Sequence, residues 1–362
     1  MLTTLSIVLA GILILIGILE AWSFPGKPKP FIDGDGKPVE HSISEKVFVN
    51  INGIKQGMFI RGKDINNPVL LYLHGGMPDY FLAEKYPTGL EDLFTVVWWE
   101  QRGSGLSYGP DIPRETLTLE QMISDTLELT NYLRQRFGKE KIYLMGHSGG
   151  TFIGIEAAAR KPELYYAYIG VAQMSNQLQS EKIAYDYMLQ QFKEKGDTKM
   201  VRRLEATPVT LSGGTPKAYE LVRDQAMHSL GIGTMHQMNS IVTGIILPSF
   251  QCRDYTLKEK FDLWHGKATS GIATLWPEMS AIDLSQTVTE FEIPVYFMGG
   301  AYDYTVNYSL AKEYFEKIHA PVKGFYTFEH SAHSPMFEEP EKTIKILLQD
   351  VLTGSNDLAD EK

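Results

Sequence analysis

The sequence predicts an α/β fold: a mostly parallel central sheet covered by helices, with a helical insertion, preceded by one N-terminal transmembrane helix. Three observations predict it. Continuous apolar runs at 68–73 and 94–99 end in glycine-containing turns, as expected of strands buried on both faces of a parallel sheet. Runs of this kind alternate with helical stripes both before 172 and after 289, which makes βαβ units. Residues 2–19 carry no charge, enough for about 27 Å of helix, nearly a bilayer core.

The elements follow in order. No Lys or Arg precedes the first apolar run, and Glu20, Ala21, Trp22, Ser23 and Phe24 follow it. A secretory signal would have a basic start and a small-residue cleavage site, so an uncleaved anchor over 1–24 is expected. Trp22 and Phe24 would sit at the interface. The expected localisation is therefore a membrane, held through this single-pass anchor, with the side of the main domain left open. A Pro/Gly-rich linker (25–44) leads to an opening hairpin pair at 47–51 and 58–60.

The first part of the sheet domain is read as 45–172. Thr118 and Gln121 predict a capping box for a helix that stops at Gly138. Strand 141–145, helix 151–160 and strand 166–171 continue the alternation. The rhythm breaks over 173–288, where irregular, methionine-containing helical stretches read as a cap. It resumes over 289–353 with strand 294–298, helix 309–318, strand 324–328 and one last helix over 339–351. The tail, 354–362, is polar and expected to fray.

Composition removes some function classes. The net charge of −10 comes without a Lys/Arg run, which argues against nucleic acid, whose binding needs clustered cations. Cys252 is the one cysteine, so intramolecular disulfides and multi-cysteine metal sites are excluded.

The chemistry centres on Gly146-His147-Ser148-Gly149-Gly150, the pattern of a sharp strand-to-helix turn that exposes a nucleophilic serine. With 32 glycines in the chain, the bare pattern arises by chance in roughly one of six shuffles, so context must decide. A predicted strand precedes it and a helix begun by small residues follows. A serine needs a base, and the base needs an orienting acid. Asp303 follows strand 294–298 and His333 follows strand 324–328, giving the chain order serine, acid, histidine. His330 is the competing base, but it sits nearer the strand end. His147, His74, Asp79, Asp92 and Asp125 read as structural or pocket-lining. The oxyanion of a tetrahedral intermediate needs amide donors. Gly149 would supply one and Gly76 the other, with Met77 as the alternate. Nucleophile, base and oxyanion donors are all protein groups, so no cofactor or metal is implied.

With these residues in place, the chain resembles the prolyl aminopeptidase (proline iminopeptidase) group of α/β-hydrolases. The resemblance rests on His74-Gly75-Gly76, on Glu100-Gln101-Arg102-Gly103-Ser104-Gly105-Leu106-Ser107, and on the turn at Ser148. It covers roughly 45–172 and 290–350. The chain departs from the group in two places. The usual His-Gly-Gly-Pro-Gly loop here runs from Gly76 into Met77-Pro78-Asp79, and the usual Ser-Trp-Gly is Ser148-Gly149-Gly150. The resemblance implies an α/β-hydrolase fold and an acyl-enzyme mechanism on short peptides or aminoacyl amides entering N-terminus first. It also implies cap acids that bind the substrate amine, with Glu181, Asp186, Glu205, Glu220, Asp224 and Glu278 as candidates. An ester hydrolase and a low-turnover small-ligand-binding protein are the alternatives.

Overall fold

The computed structural model describes the backbone of residues 2–362 and the side chains of residues 7–362. Eight strands form one sheet: β1 (Ile43–Ile51), β2 (Ile54–Gly62), β3 (Val69–Leu73), β4 (Thr95–Glu100), β5 (Ile142–His147), β6 (Tyr165–Val171), β7 (Val295–Gly300) and β8 (Lys323–Phe328). Their order is β1-β2-β4-β3-β5-β6-β7-β8. β1, β2 and β4 pair antiparallel, and every pairing from β4 through β3 to β8 is parallel.

The unbroken apolar runs have a direct cause. Alternate residues of one strand enter different cores: Leu71, Leu73 and Leu144 pack on one face, and Leu70, Tyr72, Tyr143 and Met145 on the other. With helices over both faces, neither side of the central strands meets water. The serine-bearing turn and the loops after β7 and β8 all lie at the carboxyl ends of parallel strands, where ligands bind in open α/β sheets.

Between β6 and β7 the chain is helical. Tyr185, Met188, Met200, Tyr219 and Met227 form a small core of their own. Met235, Met238 and Leu263 join the core on one sheet face, and Ile272, Leu275 and Met279 join the other. The block therefore packs both on itself and on the sheet.

Four expectations are corrected. The first concerns the anchor. Leu2–Trp22 is helical, but among the described residues no helix is long and apolar enough to cross a membrane. This overturns the transmembrane helix over 1–24, and with it the membrane localisation and the membrane as partner. The uncharged run of this helix ends at Leu19. Exposed Glu20 follows it. The Trp22 carbonyl accepts a hydrogen bond from Lys260 Nζ at 2.9 Å, so this end of the helix is tied to the helical block.

The second concerns the cap of helix Leu119–Phe137. Thr118 accepts from the Gln121 amide, and Gly138 closes the helix in the left-handed conformation. The Gln121 side chain, however, turns to Asp125 Oδ1 at 2.8 Å, so the reciprocal half of the box is missing. The third is the regularity of the last helix: it runs as expected from Pro340, but after the α-helical Pro340–Ile346 its final turn, Leu347–Val351, is wider. The fourth is the tail, which does not fray. Phe325 and Glu361 form an antiparallel bridge, Asp360 accepts from the Thr327 amide, and Lys312 pairs with Glu361 at 2.6 Å. The tail thereby covers the edge of β8, whose unpaired backbone groups would otherwise face solvent.

Candidate active site

Ser148 occupies the one-residue turn between β5 and helix Gly149–Arg160. Its φ of 55° and ψ of −126° are costly for a residue with a side chain. The strain is held by close packing: the Ser148 amide bonds to the Val171 carbonyl at 3.0 Å. A methyl group at Gly150 would lie 2.2 Å from the Leu73 carbonyl oxygen, so helix and strand can approach only with glycine there.

Asp303 and His333 come together from different strand ends. Asp303 is buried, and its Oδ1 accepts from the amides of Thr305 and Val306 at 2.9 and 3.0 Å. Its Oδ2 lies 2.9 Å from His333 Nδ1. This bond fixes the tautomer, with hydrogen on Nδ1 and the lone pair on Nε2. Burial pulls the His333 pKa below its ordinary value, against the opposing pull of the Asp303 charge and hydrogen bond. Among the described residues, the hydrogen bonds of His333 do not include one to Ser148 Oγ. In unliganded sites such a bond is often long and tightens only with substrate. His330 is exposed, and its amide bonds to Glu339; among the described residues, the side-chain hydrogen bonds of Asp303 do not include one to His330.

The glycine loop reaches the serine through a residue that sequence reasoning passed over. A methyl at Gly75 would lie 2.7 Å from Ser148 Cβ and 3.0 Å from its Oγ, whereas one at Gly76 would meet nothing within 4 Å. Gly149 opens the helix behind Ser148. His74 holds the loop: Nδ1 bonds to the Gly75 carbonyl at 2.8 Å and Nε2 accepts from the Gln101 amide at 3.1 Å. Accepting at Nε2 requires a neutral ring, in keeping with burial that lowers its pKa to about 4.

The 100–107 segment braces this loop from below. Gln101 Nε2 donates to the His74 carbonyl at 2.8 Å. Arg102 forms a buried two-point pair with Asp125 at 2.7 and 2.9 Å. Glu100 accepts from Tyr255 and from the Leu106 amide, and burial raises its carboxyl to about 8.

The profile of the family described as serine aminopeptidase, S33, matches residues 90–340. A Bacillus subtilis (strain 168) protein named "Probable aminopeptidase YbaC" is 31% identical over 313 residues, covering 84% of this chain and 95% of that protein. The chain belongs to the S33 serine aminopeptidase family. It is thus a hydrolase, and its fold is that of the α/β-hydrolases. The proline iminopeptidase of Saccharolobus solfataricus is 24% identical over 337 residues, 88% of this chain and 94% of that one. The crystal structure of proline iminopeptidase from Mycobacterium smegmatis has the same fold, with a TM-score of 0.60 at 16% identity over 85% of this chain and 98% of that one.

In this S33 chain, the acids read as candidates for a substrate amine are mostly engaged. Glu181 is buried and holds Arg223 through contacts of 2.7 to 3.0 Å. Asp186 pairs with Lys182 and Glu205 with Lys193 on the surface. Asp224 is half-exposed and lies 3.2 Å from Arg223, while Glu220 and Glu278 are exposed.

Proposed function

We propose that the chain is a serine hydrolase working through an acyl-enzyme. Ser148 attacks a carbonyl carbon as His333 Nε2 takes the hydroxyl proton, and Asp303 holds the imidazole and stabilises its charged form. The leaving group departs with the proton from His333, and water then repeats the sequence to free the acid. The Gly149 amide and an amide of the 75–77 loop, Gly76 in the first instance, hold the oxyanion. The observation that carries this reading is the 2.9 Å Asp303–His333 bond at the same sheet edge as the strained turn of Ser148.

The favoured substrates are short peptides or aminoacyl amides, entering N-terminus first. Support comes from the aminopeptidase named among the relatives and from the proline iminopeptidase that matches most of the chain. The helical block between β6 and β7 serves as the cap that selects among them. Among the acids read as candidates for the substrate amine, Glu181 and Asp224 both already pair with Arg223.

The test is covalent labelling by a fluorophosphonate, followed by turnover of aminoacyl arylamides and acyl esters. Labelling is expected to vanish in Ser148→Ala and His333→Ala and to persist in His330→Ala. Ester turnover without arylamide turnover would replace the peptidase reading by an esterase. No labelling of a folded wild-type chain would sink the acyl-enzyme.

A further inference from the structure

Next to the Asp303–His333 pair lies a second buried aspartate–histidine pair that the chemistry above leaves unused. His147 Nδ1 is 3.0 Å from Asp79 Oδ2, and its Nε2 is 2.9 Å from the backbone carbonyl oxygen of His333. Both ring nitrogens therefore face oxygen. A carbonyl only accepts, so Nε2 carries a hydrogen, and a neutral ring would then aim a lone pair at the aspartate. The contact is satisfied when a second proton lies between Nδ1 and Asp79, as in an imidazolium–carboxylate pair. Tyr72 donates to the same Asp79 oxygen at 2.7 Å, which stabilises the carboxylate. Burial opposes the charge on His147, but the hydrogen bond and charge of Asp79 prevail and its pKa lies above the ordinary value.

The His147 and His333 rings are 5.1 Å apart. The backbone of His333 is held at both polar groups: its amide donates to the Gly233 carbonyl at 3.2 Å, and its carbonyl accepts from His147. We propose that His147, kept charged by Asp79, is a positioning residue for His333, gripping its backbone carbonyl and setting a fixed positive charge beside its ring. This inference rests on the acyl-enzyme reading.

The charged and titratable groups around the two rings set the sign. Asp303 favours protonation of both histidines. Asp79 favours it at His147, while His147 and Arg223 oppose it at His333. His74 also feels His147 but stays neutral, and Glu338, which accepts from the Ala332 amide, stands behind Asp303. A charge on His147 thus keeps His333 neutral, and able to take a proton, to lower pH.

The measurement is the second-order rate of fluorophosphonate labelling of the full chain between pH 4.5 and 9, in wild type, His147→Gln and Asp79→Asn, with circular dichroism on each. The acid limb is expected to move up by about one pH unit in His147→Gln, with labelling about tenfold slower below the limb. It should move up by less in Asp79→Asn, where His147 is no longer held charged. Labelling that is slower at every pH with an unmoved limb in the folded variants would overturn the inference and reduce His147 to a packing residue. If His147→Gln does not fold, the limb in Asp79→Asn decides. Labelling that survives Ser148→Ala would instead remove the acyl-enzyme reading, a different failure from an unmoved limb in a Ser148-dependent reaction.

Discussion

Two aspartate–histidine pairs lie side by side in this molecule, and they differ in what faces the second ring nitrogen. In Asp303–His333 the Nδ1 side is held by the carboxylate and Nε2 makes no hydrogen bond among the described residues. In Asp79–His147 the Nδ1 side is held in the same way, but Nε2 meets a carbonyl oxygen. An open Nε2 leaves a neutral ring able to take a proton, whereas a carbonyl at Nε2 demands the hydrogen already be there. The pKa directions agree: burial lowers that of His333, and at His147 the pull of Asp79 exceeds the same burial effect. Residue type and burial are alike in the two pairs, so under the proposed acyl-enzyme reading the acceptor at one nitrogen separates the proposed base from the proposed brace.

The comparison breaks most severely at Asp303. Asp303→Asn is expected to lower kcat/KM by roughly 10³ to 10⁴ while the protein stays folded, because the wrong tautomer is favoured at His333. Asp79→Asn, the matching change in the other pair, should cost far less and act through the pH limb. Equal losses in the two variants would mean that the pairs are not functionally distinct.

A smaller effect is expected at Gly75. Gly75→Ala places a methyl within 2.7 Å of Ser148 Cβ, so the loop must withdraw from the serine. The labelling rate should fall on the order of 100-fold, the scale of a lost oxyanion donor, with the acid limb where it is in wild type. A moved limb would show that the loop acts through His333 instead.

The smallest effect on activity is expected at Glu100, a buried carboxyl with no histidine partner. Its carboxyl is raised from near 4.5 to about 8, so the unfolded chain ionises first. Its favourable contribution is complete below about pH 4.5 and is lost as pH rises to about 8. Glu100→Gln cannot ionise. The variant should match wild type near pH 4.5 and exceed it by an increasing margin, on the order of a few kcal/mol, by pH 8. Thermal melts across this range check it; a constant difference would assign Glu100 no titration in folding.

Much of the sheet was readable because strands buried on both faces must be apolar throughout, as at 69–73 and 95–99. Ser148, Asp303 and His333 could be named as candidates for a related reason. Each follows a readable strand, and parallel strands deliver their carboxyl ends to one edge. The Gln121 side chain could not be assigned from its spacing, because buried Asp125 competes for it. Nor could the tail, whose polar residues bind the edge of β8 only after the sheet has formed.

By itself the sequence determined the alternation of strands and helices, the glycines that permit the turn at Ser148, and the order of serine, acid and histidine, because these depend on local pattern and on chain direction. The tertiary structure alone decided that Gly75 approaches the serine and that Asp79 reaches across 68 residues to His147. It also decided that His147 then grips a carbonyl 186 residues away. The physical reason is that a proton's position depends on which oxygen lies within 3 Å of a nitrogen, and only the packed chain sets those distances.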